Sequence, residues 1–178
     1  KVEHTIENIP TLIDRSVFPG TQGGPLMHVV AAKAIALAEA SHPTFAEYAQ
    51  QVVTNAQTMA EYLTGQGVIM QTGGTDNHCL LINAKQSYGL SGKEAEQILE
   101  SVGIIVNKNS IHGDTGTKAN PDGIRLGTPA MTTRGMEIDE SRILAKIIDD
   151  VLRNPKDDSL LENARNKVHD LTSWFLVP

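Results

Sequence analysis

The chain has 178 residues, 40% of them hydrophobic, and a formal net charge of −6. That length is enough to bury a useful core in one domain, or in one domain plus part of a neighbour. The acidic balance and the absence of a basic cluster argue against nucleic acid or an anionic membrane surface as partner, and the longest apolar stretch, Val29 to Ala40, contains Lys33 and Glu39 and is too short to span a bilayer.

In chain order, residues 4 to 16 show a weak amphipathic pattern that Pro10 interrupts, which predicts at most a short helix. Val17 to Pro25 then places three glycines and two prolines in nine positions, directly ahead of an apolar run from Leu26 to Ala40. A bent loop feeding a helix is expected, and a helix apolar on nearly every side should be buried. Thr44 with Glu47 reads as a capping box opening a second helix. Phe45, Tyr48, Val52, Ala56, Met59 and Leu63 form its core side, and Gln50, Gln51, Asn55 and Gln57 its polar face.

From Gly65 the period changes. Val68 to Met70 and Cys79 to Ile82 read as two short strands, joined by a turn over Thr72 to Asn77. Ser91 with Glu94 is a further capping box, for a helix through Leu99 that ends near Gly103, and Ile104 to Val106 reads as a strand. Residues 107 to 122 form a polar loop too long for an idle connection. Gly123 to Gly127 returns as a strand stopped by Thr128-Pro129, and two amphipathic helices follow, around Ile143 to Leu152 and Leu160 to Leu171. The expected fold is α/β, a small sheet covered by helices on one face. A boundary near Ser41 separates residues 1–40 from residues 41–178.

Several residues could carry chemistry. Glycine amides ahead of a helix let an anion approach unpaired N–H groups at the positive end of the helix dipole, although Gly and Pro equally make a plain surface turn. Arg125 stands between Ile124 and Leu126, so alternation places it on the opposite face from them. There it either faces solvent or clamps a carboxylate. Asn107 to Ser110 has the donors and acceptors to read a heterocycle, or simply makes a turn. Arg134 reads as a solvated charge in a loop and helix start. Cys79 cannot form an internal disulfide and, within an apolar run, reads as a buried inert thiol compatible with a cytoplasmic setting. His4, His28, His42, His78, His112 and His169 lack metal-ligand spacing, and none is assigned to a metal.

Four motifs occur in a fixed order: Phe18-Pro-Gly-Thr-Gln-Gly-Gly-Pro25, Thr75-Asp-Asn-His78, Val106-Asn-Lys-Asn109 and Gly123-Ile-Arg-Leu-Gly-Thr-Pro129, followed by Thr132-Thr-Arg-Gly135. In these the chain resembles the serine hydroxymethyltransferase family along nearly its whole length. The resemblance implies a fold type I pyridoxal phosphate enzyme, a cytoplasmic homodimer that moves the serine hydroxymethyl carbon to tetrahydrofolate and leaves glycine. It implies that residues 1–40 end the large cofactor domain and that 41–178 are the small carboxy-terminal domain. Gly23 and Gly24 match the glycine pair that holds the cofactor phosphate across the dimer. Arg125 matches the arginine that grips the serine or glycine carboxylate, Asn109 matches a folate-contacting asparagine, and Thr117, Lys118 and Ala119 fall where the loop approaches the pterin.

The sequence departs from the family pattern in that loop. Similar bacterial enzymes often read Ser-Val-Pro after the asparagine and Ser-Gly-Ile-Arg at the arginine, where Ser110-Ile111-His112 and Asp122-Gly123-Ile124-Arg125 stand here. The family's Schiff-base lysine sits in a Thr-rich His-Lys context that surrounds none of Lys1, Lys33, Lys85, Lys93, Lys108, Lys118, Lys146, Lys156 or Lys167. The chain is therefore expected to be a catalytically incomplete piece of an active enzyme whose residues 1–40 expose apolar surface. Alternatives are a non-catalytic binding or assembly module of the same small-domain fold, and another fold type I enzyme such as an aminotransferase.

Overall fold

The computed structural model describes residues 8–178; Lys1, His4 and the start of the expected first helix lie outside them. The chain is mixed α/β and divides into two compact units, Lys1–Phe45 and Ala46–Pro178.

The first unit holds α1 (Ile9–Val17) and α2 (Met27–Ala40). Pro10 stands in the first turn of α1, where its missing N–H costs nothing, so it opens the helix rather than breaking it. The chain then folds back on the end of α1, with Gly20 N–H donating to the Arg15 carbonyl at 3.0 Å. Glycine is required there, because a Cβ would lie 2.5 Å from the Ser16 carbonyl oxygen. No residue of α2 is buried, which corrects the expectation of a buried helix. An all-round apolar helix needs partners on every side, and a unit of this size cannot supply them. The expected exposure of apolar surface is observed, at Ile9, Ile13, Phe18, Leu26, Met27, Ile35 and Leu37 among others.

The second unit contains most of α3 (Pro43–Gly65), followed by a 3-10 turn at Gln71–Gly73. Next come β1 (Cys79–Asn83), α4 (Ala84–Tyr88), α5 (Gly92–Ser101), β2 (Asn107–Asn109) and β3 (Gly123–Gly127). The chain finishes with α6 (Pro129–Thr133), α7 (Ile138–Arg153) and α8 (Asp158–Trp174). The three strands form one antiparallel sheet in the order β1-β3-β2. Leu80 opposes Leu126 and Ile82 opposes Ile124, and all four are buried. Ala95 and Leu99 of α5, Ile148, Val151 and Leu152 of α7, Val168 of α8, and Ala56, Met59 and Leu63 of α3 join them in one core. The helices therefore cover one sheet face, as expected.

Four local expectations are corrected. Val68 to Met70 makes only one bridge, Met70 with Ile82, because Thr72 at φ 67 turns the chain away and the Ile69 N–H goes to Ser87 Oγ. Ile104 to Val106 precedes the ladder, which starts at Asn107, since the chain is still leaving α5 through Gly103 at φ +84. Thr44 is not an N-cap: α3 already starts at Pro43, and Thr44 Oγ1 lies 2.9 Å from His42 Nδ1. Asn55 is not on a polar face but fully buried, donating to Thr132 Oγ1 and the Met136 carbonyl (both 2.9 Å) and accepting from Gln51 Nε2 (2.8 Å). Its spacing from Val52 and Met59 already put it on the core side. The Ser91–Glu94 capping box forms as read.

Candidate functional site

Alternation along β3 sends Ile124 and Leu126 into the core and leaves Arg125 on the open face. Arg125 stands between Leu81 of β1 and Asn107 of β2. It is exposed, and among the described residues its guanidinium makes no hydrogen bond or ion pair. A permanently charged, forked donor on an open sheet face has the geometry to receive a carboxylate.

Asn107 and Asn109 share that face because Lys108 between them points the other way. The Lys108 N–H and Nζ both donate to Glu96 of α5 at 3.0 Å, which ties β2 onto the helix layer. The Lys108 N–H, then its ammonium, hold the Glu96 carboxyl below the usual carboxylate range. Asn109 opposes Gly123, two positions along β3 from Arg125. Its side-chain Nδ2 donates to the Ser110 carbonyl at 2.7 Å, which leaves the amide's second N–H and its oxygen for a ligand edge. Asn107, a candidate from the sequence as part of the Asn107–Ser110 run, lies directly opposite Arg125.

Residues 110–122 form a built loop. Thr117 and Asn120 pair reciprocally through N–H and carbonyl groups (3.1 and 3.0 Å), presenting exposed Lys118 and Ala119 at the tip. Ile111 is buried over Gly123, where a Cβ would stand 2.4 Å from its Cγ2. The open face is thus walled at its Gly123 end and free at Arg125.

In the first unit, a cleft of about 470 Å³ is lined by residues 21–26, Val29, Val30 and Lys33. No atom lies within 4 Å of where a Cβ would stand on Gly23 or Gly24. Leu26 precedes α2 without any side-chain cap, so the first helical N–H groups keep no side-chain acceptor. Leu26, Val29, Val30 and Lys33 follow helical spacing, which brings the lysine to the same side as the glycine pair. An open amide-rich concavity with an ammonium fits a phosphate. Gly23 and Gly24 thus lie in one unit, and Arg125, Asn109 and the Thr117–Ala119 tip in the other.

Two more readings change. Arg134 is not a solvated charge: its Nε donates to the Phe175 carbonyl at 2.6 Å and its NH2 group to that of Thr172 at 2.8 Å, capping α8. Cys79 is half-buried on the less covered sheet face, opposite Gly127, rather than sealed in the core. Among the described residues no group of His, Cys, Asp or Glu could hold a metal ion, and no helix is long and apolar enough to cross a membrane.

The family model for serine hydroxymethyltransferase matches residues 1–148. The chain belongs to the serine hydroxymethyltransferase family. It is 49% identical over 165 residues to the serine hydroxymethyltransferase of Variovorax paradoxus (strain S110), covering 93% of this chain and 40% of that relative. It is 49% identical over 166 residues to the protein of that name from Polaromonas naphthalenivorans (strain CJ2), with the same two coverages. The chain thus spans about two fifths of the length of the curated relatives it matches.

Proposed function

We propose that this chain is part of a serine/glycine hydroxymethyltransferase, contributing the end of the cofactor domain in residues 1–40 and the small domain in residues 41–178. The observation that supports this most is Arg125, an unpaired guanidinium on the open face of a family-matched sheet, with Asn107 and Asn109 on the neighbouring strand of the same face.

In this reading Arg125 holds the carboxylate of serine or glycine through two parallel N–H donors. Fixing the carboxylate sets the rotation about the bond to Cα, and so selects which Cα bond is aligned for cleavage. Asn109 and the Thr117–Ala119 tip meet tetrahydrofolate, the acceptor of the hydroxymethyl carbon. Gly23 and Gly24 give backbone N–H groups to the phosphate of pyridoxal 5'-phosphate belonging to a second copy in a homodimer. Lys33 adds positive charge to that cleft. Pyridoxal phosphate supplies an electron sink for the pair released when Cα–Cβ breaks. None of the lysines here stands in the family's Thr-rich His-Lys context, so the chain by itself is catalytically incomplete.

The test is Arg125→Ala in the full-length protein. Losing a desolvated carboxylate partner costs about 2–5 kcal/mol, so kcat/KM for serine should fall at least about thirtyfold while the visible absorption of bound cofactor is retained. Undiminished serine turnover would sink the assignment.

A further inference from the structure

Two buttressing carboxylates in the loop of residues 110–122 have no role in the reading above. Asp122 is buried on the residue before β3, three positions from Arg125. Its backbone belongs to the folded body. The Asp122 carbonyl accepts the Lys85 N–H of α4 at 3.1 Å, and the Pro121 carbonyl accepts the Gly92 N–H of α5 at 2.7 Å. The Asp122 side chain faces the loop instead: Oδ2 accepts the Thr115 N–H at 2.7 Å and Thr115 Oγ1 at 2.6 Å. Asp114 closes the ring. Its Oδ1 accepts from Gly116 N–H (2.8 Å) and Asp122 N–H (3.2 Å), and its Oδ2 from Ile111 N–H (3.2 Å).

The stem of the loop is thereby tied to β3, and the Thr117–Asn120 turn rides on that stem. Gly116 meets the turn closely, since a Cβ there would lie 2.3 Å from the Asn120 carbonyl oxygen. Charge-assisted bonds of this kind are about twice as strong as neutral ones.

We propose that Asp122 is a positioning residue, which through Thr115 presets the loop bearing Thr117, Lys118 and Ala119 for the heterocyclic co-substrate. This rests on the function proposed above. It predicts a split between substrates: loosening the clasp disturbs the loop and leaves the strand that carries Arg125 in register, because β3 is held by β1 and β2 independently.

The experiment compares Asp122→Ala, Thr115→Val and the conservative Thr115→Ser in the full-length protein. Amide exchange of the segment holding Thr115 and Gly116 is read by mass spectrometry, beside steady-state kinetics in serine and tetrahydrofolate. In Asp122→Ala and Thr115→Val, exchange should quicken about tenfold and KM for tetrahydrofolate should rise about tenfold, with KM for serine within about twofold. Thr115→Ser should match the parent. Faster exchange with an unmoved folate KM, or both KM values rising together with a falling Tm, would reduce the clasp to a structural tie and overturn the proposal. A parent protein that turns over no serine would instead refute the function itself, and the positioning role with it.

Discussion

Asn55 illustrates why a single polar residue can decide packing. Its amide joins α3 to Thr132 of α6 and to the Met136 carbonyl in a region without water access, so each partner depends on it. Asn55→Ala strands a buried carbonyl and should cost about 1–3 kcal/mol, measured as a lower urea midpoint. Asn55→Asp should be worse, because a carboxylate cannot donate to that carbonyl. Gly92 shows the same dependence in the backbone: a Cβ there would lie 2.1 Å from the Gly123 carbonyl oxygen. Gly92→Ala should therefore push β3 away from α5 and destabilise by about 1–3 kcal/mol or more, seen in the same denaturation assay. Arg134→Lys should free the last turn of α8, since an ammonium cannot span the Phe175 and Thr172 carbonyls as the guanidinium fork does. Faster amide exchange over that turn is the measurement.

Among the elements, α5 is the hinge between core and site. The Ser91–Glu94 box starts it, and Glu96, two residues on from Glu94, anchors β2 through Lys108. The Ser91 backbone N–H, then its hydroxyl, hold the Glu94 carboxyl below its ordinary range; Lys108 does the same for Glu96. The Thr115 hydroxyl, then its N–H, lower that of Asp122. Groups depressed in the folded state stabilise it fully above their unfolded values, about pH 4, and lose that contribution as pH falls through the lower folded values. Tm should accordingly drop below about pH 4, and the drop should be shallower in a Glu94→Gln/Glu96→Gln variant. Equal slopes in parent and variant would show that these bonds do not form. Periodicity made α3, α5, α7, α8 and β3 readable, since each buries one face. The short α4, the 3-10 turn and β2 were not, because three to five residues hold too few periods and are placed by partners distant in sequence.

Across the whole molecule, the two units differ in how they satisfy their apolar residues. The second unit holds every residue of the core cluster, while the first leaves Ile9, Phe18, Met27, Ile35 and Leu37 exposed. Residues 46–178 alone should fold cooperatively and bind little of an environment-sensitive apolar dye, whereas the 178-residue chain should bind it strongly; equal binding by both would contradict this partition. Family membership, the helix-covered sheet and the outward face of Arg125 were legible from residue order, because motif spacing and the alternation of β3 are local properties. Folding alone revealed Asn107 opposite Arg125, the capping duty of Arg134, the partners of Asn55 and the Asp122–Thr115 clasp. The first three depend on which strand or helix lies alongside, a contact 18 to 81 residues away in sequence, and the clasp on how an irregular loop folds back on itself, which no periodicity encodes.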